Sequence, residues 1–337
     1  MNYIEHKERV VDTNEKFKHV MAITLDPRTK YTDGVIRCIT SRSGDVVIKG
    51  YTDRSKLYKI KGNSLFKYEL TEEIKIKNLE AVVGELEGEE GDCIGLEDPD
   101  IWIDEKNDML HLYFTIPIKY SPGWKKMHIH LGHAVGKDLD TLEMTEPLLL
   151  GDDKISAKEV SIAPLNSQGF RYNLVESKDR RGKQSYSTVR VAIAHDMGKP
   201  WQYGETAFHP AENNINWIGE HASPGPLFPK EFIDIGAGKR LGVINGRSPS
   251  EKMENGDVKY GIFSVGLFIY DYENGKIDWV SPTPLIMDSE AVTITFASQF
   301  VLTKPREGIL YAHVDDSFVR AYSLSADSIK SLLPNLL

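Results

Sequence analysis

The chain has 337 residues, with 41 lysines and arginines against 50 aspartates and glutamates, which gives a net charge of −9. This acidic balance argues against a nucleic-acid partner and against binding to an anionic membrane. The two cysteines, Cys38 and Cys93, lie far apart without metal-ligand spacing, so we predict neither a disulfide framework nor a thiolate metal site. No signal peptide or membrane span is recognisable, so we expect a cytoplasmic protein, or a secreted one if a leader was removed.

Short strand-like runs, separated by clusters of Gly, Pro, Asn and Asp, dominate the sequence. In chain order they are 46–48, 109–116, 128–134, 170–175, 189–194, 240–244, 260–270, 294–302 and 309–313. A short C-terminal helix is predicted near 325–333. No βαβ alternation, Gly-rich phosphate loop or Gly-x-Ser-x-Gly elbow is present. The pattern predicts an all-β fold and disfavours nucleotide-binding and serine-hydrolase architectures.

A weak internal repeat narrows the architecture. Strand-like runs that end in a small residue and Asp, with Trp or Leu nearby, recur at 133–139, 191–201, 266–279 and 320–325. The intervals of roughly 55 to 75 residues suit one four-stranded propeller blade with its loops. Together with the N-terminal β region, the repeat predicts a five-bladed β-propeller. No linker rich in Pro, Gly or Ser interrupts the chain, so we expect a single catalytic domain over 1–337.

Carboxylates stand at the starts of several predicted strands. Glu97 and Asp98 precede Pro99 and an alternating apolar strand, and proline cannot donate to a sheet ladder, so Asp98 is expected where a strand begins or a loop ends. Others in similar positions are Asp26, Glu159 and Asp316. Glycosidic bond cleavage needs a carboxylic acid near the leaving oxygen and, for inversion, a second group on the opposite face. Each of these carboxylates taken alone could equally be a solvated turn residue.

The segment 95–114 resembles the Glu-Asp-Pro motif of the β-mannoside phosphorylases and hydrolases of glycoside hydrolase family 130. Weaker matches at 158–164, 223–227 and 311–322 follow in the family's order. The resemblance covers about 90–325 and rests on order and spacing. It implies a five-bladed propeller that cleaves a β-mannoside-like bond with inversion, acting on an oligosaccharide or glycoside.

The resemblance also implies roles for individual residues. Asp98 would be the general acid, Asp316 would hold hydroxyls of the buried sugar, and Lys158 would face the nucleophile pocket. Because neighbouring strand residues point to opposite faces, Glu97 is expected to orient the backbone or a sugar hydroxyl. The predicted substrate-binding residues are Glu97, Lys158, Glu159, Asp316, His221, Trp217 and Arg247. Trp217, in the polar loop 213–221, is expected to be an exposed sugar-stacking residue on the rim.

Departures from the family pattern leave the nucleophile open. Asp100 replaces an Arg that usually follows the Glu-Asp-Pro motif, Glu176-Ser177 replaces a His-Arg pair, and 244–247 replaces Tyr-His-Gly. An attacking phosphate requires several cationic donors. Candidates that could rebuild such a pocket are Lys158, Arg171, Arg190, His221, Arg247, His313 and Arg320. Hydrolysis and phosphorolysis both remain open, and we predict no metal or cofactor, with inorganic phosphate as a conditional co-substrate.

Three alternatives accompany this interpretation. In arabinofuranosidase- and xylosidase-like propellers, Asp26 would be the base, Asp98 a pKa-tuning carboxylate, and Glu159 or Glu220 the acid. A second alternative is mannosyl transfer from an activated donor. The third is a non-catalytic sugar-binding propeller or protein scaffold, since a fold does not fix a function. The oligomeric state is not predicted.

Overall fold

The computed structural model describes residues 2–120 and 126–334, which form 23 strands, two short α-helices and two 3-10 helices. The α-helices are α1 (Leu79–Glu87) and α2 (Ala326–Lys330), and the 3-10 helices span Pro27–Thr29 and Pro210–Glu212. Helix α2 lies within the segment for which a C-terminal helix is predicted. The protein is therefore nearly all-β, as the strand-like runs indicate. Among the described residues, no helix is long and apolar enough to cross a membrane.

After β1 (Tyr3–Arg9), the chain forms two sheets in succession. The first contains β2 (Val20–Leu25), β3 (Asp33–Ser43), β4 (Thr52–Ser64) and β5 (Lys67–Glu73), paired in that order. The second contains β6 (Asp92–Cys93), β7 (Glu97–Asp104), β8 (Met109–Lys119), β9 (Met127–Gly136) and β10 (Glu143–Met144), with β6 and β7 both pairing with β8. Strand β8 is buried along almost its whole length because it is central in its sheet and packed on both faces.

An eight-stranded sheet follows. Its first group is β11 (Lys158–Ser161), β12 (Arg171–Arg181), β13 (Gln184–Ala194) and β14 (Gln202–Phe208). Its second group is β15 (His221–Leu227), β16 (Lys239–Arg247), β19 (Phe263–Asp271) and β20 (Lys276–Val280). Among the residues that the structure describes, the backbone pairing between the two groups is a single parallel one of Ser187 with His221. A two-stranded hairpin, β17 (Glu251–Lys252) with β18 (Val258–Lys259), projects from the second group.

The last sheet joins the two ends of the described chain. It contains β21 (Thr295–Lys304), β22 (Glu307–Val314) and β23 (Phe318–Ser325), and β1 pairs antiparallel with β23. Buried apolar clusters lie between successive sheets rather than within one. Val35 packs with Phe114 between the first two sheets, for example, and Ile23 packs with Tyr311 between the first sheet and the last. The sheets therefore depend on their neighbours for burial.

The inner strands of these units surround a common axis. Strand β2 contacts β7 and β21, β11 contacts β7 and β15, and β15 contacts β21, which closes a ring. Each of the five strands has an irregular register near its midpoint or start. Such bulges re-aim side chains and are frequent next to active sites. At three of them a non-glycine residue adopts positive φ: Ala22 (50°), Asp98 (48°) and Glu159 (52°).

Candidate active site

A cavity of about 400 Å³ lies at one end of the ring of inner strands. It draws charged and polar side chains from all the major sheets. The ionisable residues that line it are Arg37, Lys49, Tyr51, Asp53, Glu97, Asp98, Lys158, Glu159, His221, Arg247, Tyr260, His313 and Asp316. Seven of the predicted site residues are thus brought together, although they span more than 200 positions in the sequence.

Arg37, on β3, holds the two carboxylates of the Glu-Asp-Pro motif. Its Nη2 donates to Glu97 Oε1 at 2.6 Å and its Nη1 donates to Asp98 Oδ1 at 3.0 Å. Its Nε donates to Ser55 Oγ at 3.0 Å, which fixes the guanidinium plane. The expectation that Glu97 and Asp98 face opposite ways is wrong. The bulge and the positive φ of Asp98 break the strand alternation, so both side chains line the same cavity.

Asp98 and Glu159 form a carboxyl pair on the neighbouring strands β7 and β11. Asp98 Oδ2 is buried, and no amine, amide or hydroxyl of the described residues donates to it. Burial, reinforced by the charge of Asp98 and a hydrogen bond to it, holds the pKa of Glu159 well above its usual range. The raised pKa favours the protonated form of Glu159 beside Asp98. Burial also raises the pKa of Glu97 to about 7, against the opposing charge of Arg37.

Glu176, on β12, contacts two residues of the cavity lining, Lys158 and His221. His221 Nε2 lies 2.9 Å from Glu176 Oε2, Lys158 Nζ lies 3.8 Å from Oε1, and the Ser223 hydroxyl donates to Oε2. Burial opposes ionisation of Glu176, but these two cations and the two hydrogen bonds outweigh it and lower its pKa to about 2. The site therefore contains an ionised carboxylate at the position where the family pattern has a His-Arg pair.

On the opposite side of the cavity, Asp316 is held by three neighbours. The Tyr51 hydroxyl donates to Asp316 Oδ2 at 2.6 Å, and His313 Nε2 lies 3.2 Å from Oδ1. Arg42 Nη2 donates to the backbone oxygen of Asp316 at 2.9 Å and also pairs with Asp53 at 2.6 Å. Although burial opposes it, hydrogen bonding and charge from His313 lower the pKa of Asp316. Asp316 thus presents an anionic acceptor suited to sugar hydroxyls.

Two loops meet above the cavity. The segment 47–49, between β3 and β4, pairs with the hairpin β17–β18: Lys49 N donates to Val258 O and Tyr260 N donates to Val47 O, each at 2.9 Å. Together these two segments form the roof of the cavity. Arg247 lies beneath the roof, with its Cζ 4.1 Å from the ring centroids of both Tyr260 and Phe263. The roof and the stacked arginine narrow one side of the cavity.

Three predicted site residues lie elsewhere. Trp217 is only 9% exposed, its Nε1 donates to Ser281 O at 3.0 Å, and it fills the space left by Gly266, so the prediction of an exposed rim residue is wrong. Asp26 caps the 3-10 helix at Pro27 and pairs with Arg28 at 2.9 Å. Glu220 accepts a hydrogen bond from Ser250. Asp26 and Glu220 are not among the residues that line the cavity.

Sequence reasoning did not select several residues that the fold brings to the site. Arg37, Tyr51 and Asp53 line the cavity, and Glu176 contacts two of its lining residues; all four lie in segments whose local pattern carries no functional signal. From the sequence, Glu176 was noted only because Glu176-Ser177 replaces the His-Arg pair of the family pattern. Of the proposed cationic candidates, Arg171, Arg190 and Arg320 are absent from the cavity lining, whereas His313 is part of it.

Comparisons with known proteins place this fold among carbohydrate-active enzymes. No family model and no curated protein matches the chain. The structure is similar to the β-1,2-mannobiose phosphorylase from Listeria innocua, with a TM-score of 0.65, 12% identity and coverage of 99% of each chain. It is also similar to a mannose phosphorylase from Leishmania mexicana solved with phosphate (0.55, 12%, 97% of this chain and 89% of the other). An endo-arabinase from Bacteroides thetaiotaomicron is similar as well (0.53, 13%, 95% and 97%).

At these identities the likeness shows a shared β-propeller fold. It agrees with the resemblance found in 95–114, and the Listeria enzyme matches over nearly the full length of both chains. The residues of the cavity are therefore the basis for any statement about chemistry.

Proposed function

We propose that this protein is a glycosidase that cleaves a β-mannoside-like bond with inversion, by hydrolysis. The observation that carries the proposal is the carboxyl pair Asp98–Glu159, which lines a polar cavity and in which burial and the charge of Asp98 raise the pKa of Glu159 well above its usual range. An acid that remains protonated near pH 7 is what departure of a sugar oxygen requires. The substrate would be an oligosaccharide or glycoside whose terminal sugar hydroxyls bind Asp316.

Asp98 is the proposed general acid, and Glu159 is its proton reservoir. In the resting site the proton is on Glu159 and is shared with Asp98 through their hydrogen bond. As the bond between C1 and the leaving oxygen breaks, the proton of Glu159 passes to Asp98 and from Asp98 to that oxygen, which leaves both carboxyl groups ionised. A second candidate assigns the direct donation to Glu159, in line with the arabinofuranosidase-like arrangement. Asp26, the base in that arrangement, is held by Arg28 outside the cavity lining, which disfavours the full alternative.

Glu176 supports water rather than phosphate as the nucleophile. An attacking phosphate requires unpaired cationic donors, whereas Lys158 and His221 already share the Glu176 carboxylate. Glu176 does not itself line the cavity, but it contacts Lys158 and His221, which do, and we propose its ionised carboxylate as the general base for water. The water proton would pass to Glu176 as its oxygen bonds to C1. Mannosyl transfer from a phosphate-bearing donor is disfavoured for the same reason, because the donor phosphate would require the side chains that Glu176 already holds.

The same proposal includes a five-bladed propeller made of one domain. Five inner strands contact one another in a ring, and the eight-stranded sheet divides into two groups joined at a single pair of residues. Counting those groups as separate blades, with the hairpin β17–β18 as an insertion, gives five four-stranded blades plus the short β6. The pairing of β1 with β23 would close the ring by completing the last blade.

Product analysis tests the proposed reaction. The purified protein is incubated with β-mannosides, arabinosides and xylosides, each with and without inorganic phosphate, and the products are identified by mass spectrometry and by the anomer first formed. We expect free α-mannose from β-mannosides in both conditions. A sugar 1-phosphate that forms only with phosphate would replace hydrolysis by phosphorolysis. If the protein binds sugars but cleaves none of them, the result would support the alternative of a non-catalytic sugar-binding propeller.

A further inference from the structure

The carboxylates and cations of the cavity are almost all paired with one another. Arg37 bonds Glu97 and Asp98, Glu176 bonds Lys158 and His221, and Asp316 bonds His313. Each of these residues thus has a charged or polar partner within the protein and needs none from a ligand. A charged group of the cavity that has no such partner therefore points to something the ligand supplies.

Arg247 is that group. Its side chain lines the cavity, and the residue is only 7% exposed. Its Nε is buried without a hydrogen-bond partner, and within the described parts of the chain no carboxylate lies at ion-pair distance from its guanidinium. Tyr260 and Phe263 hold the group by stacking, with both ring centroids 4.1 Å from Cζ. A buried guanidinium fixed by aromatic rings costs free energy unless an anion binds it.

A second unpaired cation adjoins Arg247. Lys49, on the roof segment, also lines the cavity, is exposed, and has no carboxylate partner among residues 2–120 and 126–334. Its backbone is fixed by the hydrogen bond to Val258 O. The roof side of the cavity therefore has a surplus of positive charge, while the Asp98–Glu159 side has none.

We propose that the sugar recognised in this cavity carries a carboxylate, as in a uronic acid residue, and that Arg247 binds this carboxylate. This inference rests on the proposed function, and it names the substrate class of the same site. The planar guanidinium matches a carboxylate through two parallel hydrogen bonds. Lys49 supplies the long-range attraction at the mouth.

A sugar carboxylate fits these residues better than inorganic phosphate does. Phosphate carries between one and two negative charges at neutral pH and is bound in proteins by several cations acting together. Here Glu176 neutralises Lys158, and burial lowers the pKa of His221, which leaves one buried guanidinium and one exposed ammonium. A single-charge carboxylate on the substrate balances the buried guanidinium and leaves Lys49 in water.

Calorimetric titration of the full chain at pH 7 tests this assignment with three probes. Two of them, methyl β-D-mannopyranosiduronate and methyl β-D-mannopyranoside, differ only at C6, and the third is inorganic phosphate. We expect the uronate to bind at least 10-fold more tightly than the neutral glycoside. The Arg247→Met variant should lose about 10- to 100-fold in affinity for the uronate and little for the neutral sugar.

Arg240→Met is the matched control. Arg240 also stacks on a ring, with its Cζ 5.2 Å from the centroid of Tyr272, and it lies outside the cavity lining. Its loss should leave uronate affinity unchanged. Equal binding of the two glycosides, or full uronate affinity in Arg247→Met, would overturn the proposal. If phosphate binding depends on Arg247 and cleavage depends on phosphate, then Arg247 binds the attacking phosphate and not a sugar carboxylate.

The same probes separate this inference from the proposed reaction. Uronate binding that depends on Arg247 without cleavage of any uronide would support acidic-sugar recognition and contradict the enzyme. Cleavage of neutral β-mannosides with no preference for the acidic sugar would support the enzyme and overturn the inference.

Discussion

Two buried arginines organise two different regions of this protein. Arg37 binds Glu97 and Asp98 at the cavity. Arg320, on β23, is 1% exposed and lies 2.7 Å from Asp288, 2.9 Å from Glu290 and 3.7 Å from Glu5, where β1 meets the last sheet. The two clusters have similar composition, so their differences indicate what function adds to a buried ionic network.

The differences lie in the partners rather than in the arginines. In the Arg37 cluster, Asp98 has positive φ and depends on a neighbouring carboxylic acid for its second oxygen. In the Arg320 cluster, Asp288 also accepts a hydrogen bond from the Tyr322 hydroxyl at 2.5 Å and faces no cavity. Backbone strain and incomplete pairing persist where function selects them. We therefore expect substitutions at the cavity to change catalysis and substitutions at Arg320 to change stability.

The largest expected effect is on catalysis at Asp98. Asp98→Asn removes the proposed proton donor and should lower kcat about 10²- to 10⁴-fold on substrates with poor leaving groups. A 2,4-dinitrophenyl β-mannoside needs no protonation, so its cleavage should be largely retained. Asp26→Asn is the control, since Asp26 lies outside the cavity lining, and its kcat should match wild type. Full activity of a folded Asp98→Asn protein would refute the assigned role of Asp98.

The second effect is on stability at Arg320. Arg320→Met leaves the buried carboxylate of Asp288 without its cation, which should lower the free energy of unfolding by about 3–5 kcal/mol. Urea unfolding measures this loss, and kcat of the folded fraction should stay at the wild-type value. A fall in kcat without a fall in stability would mean that the Arg320 cluster, too, acts on the site.

The sequence predicts those features of the two regions that depend on local patterns, and it misses those that depend on contacts between distant segments. The β class, the strands around Asp98 and the gathering of Lys158, Glu159 and Asp316 follow from local patterns and the order of motifs. Arg37 and Glu176 do not, because their roles arise from contacts between sheets far apart in the sequence. Trp217 was misplaced because a polar loop predicts exposure, whereas two glycines on neighbouring strands make room for its ring.

The bulges account for the remaining error at the site. Strand periodicity places Glu97 and Asp98 on opposite faces, yet both bind Arg37. A proline two residues after Glu97 marks the place where the ladder is interrupted. Periodicity therefore predicts which strands exist, while the direction of a side chain at a bulge requires the structure.

A third prediction uses pH to distinguish the carboxylates of the cavity. The pKa of Glu97 is raised to about 7, so its contribution to stability is present at pH 4.5 and is lost as pH rises towards 7. The Glu97→Gln protein should lack this loss, a difference of about 1–3 kcal/mol in free energy of unfolding between pH 4.5 and 7.5. Glu176, with its pKa near 2, should act in the opposite direction, and Glu176→Gln should flatten the decline on the acid side. Unfolding in urea across pH 3 to 8 measures both, and identical profiles for all three proteins would contradict these assignments.

The smallest effect is expected for Lys77→Met, a substitution that removes an ion pair exposed to water and so sharpens the same comparison. Lys77 and Glu143 lie 3.1 Å apart, but their side chains are 69% and 48% exposed. Lys77→Met should change the free energy of unfolding by less than about 1 kcal/mol and leave kcat unaltered, because exposed pairs gain little over their hydration. Measured beside Arg320→Met in the same urea series, it separates burial from charge pairing as the source of stability. A loss of stability as large as that of Arg320→Met would mean that charge pairing, and not burial, determines the contribution of an ion pair to stability. The difference between the cavity and the Arg320 cluster would then rest on backbone strain and not on the exclusion of solvent.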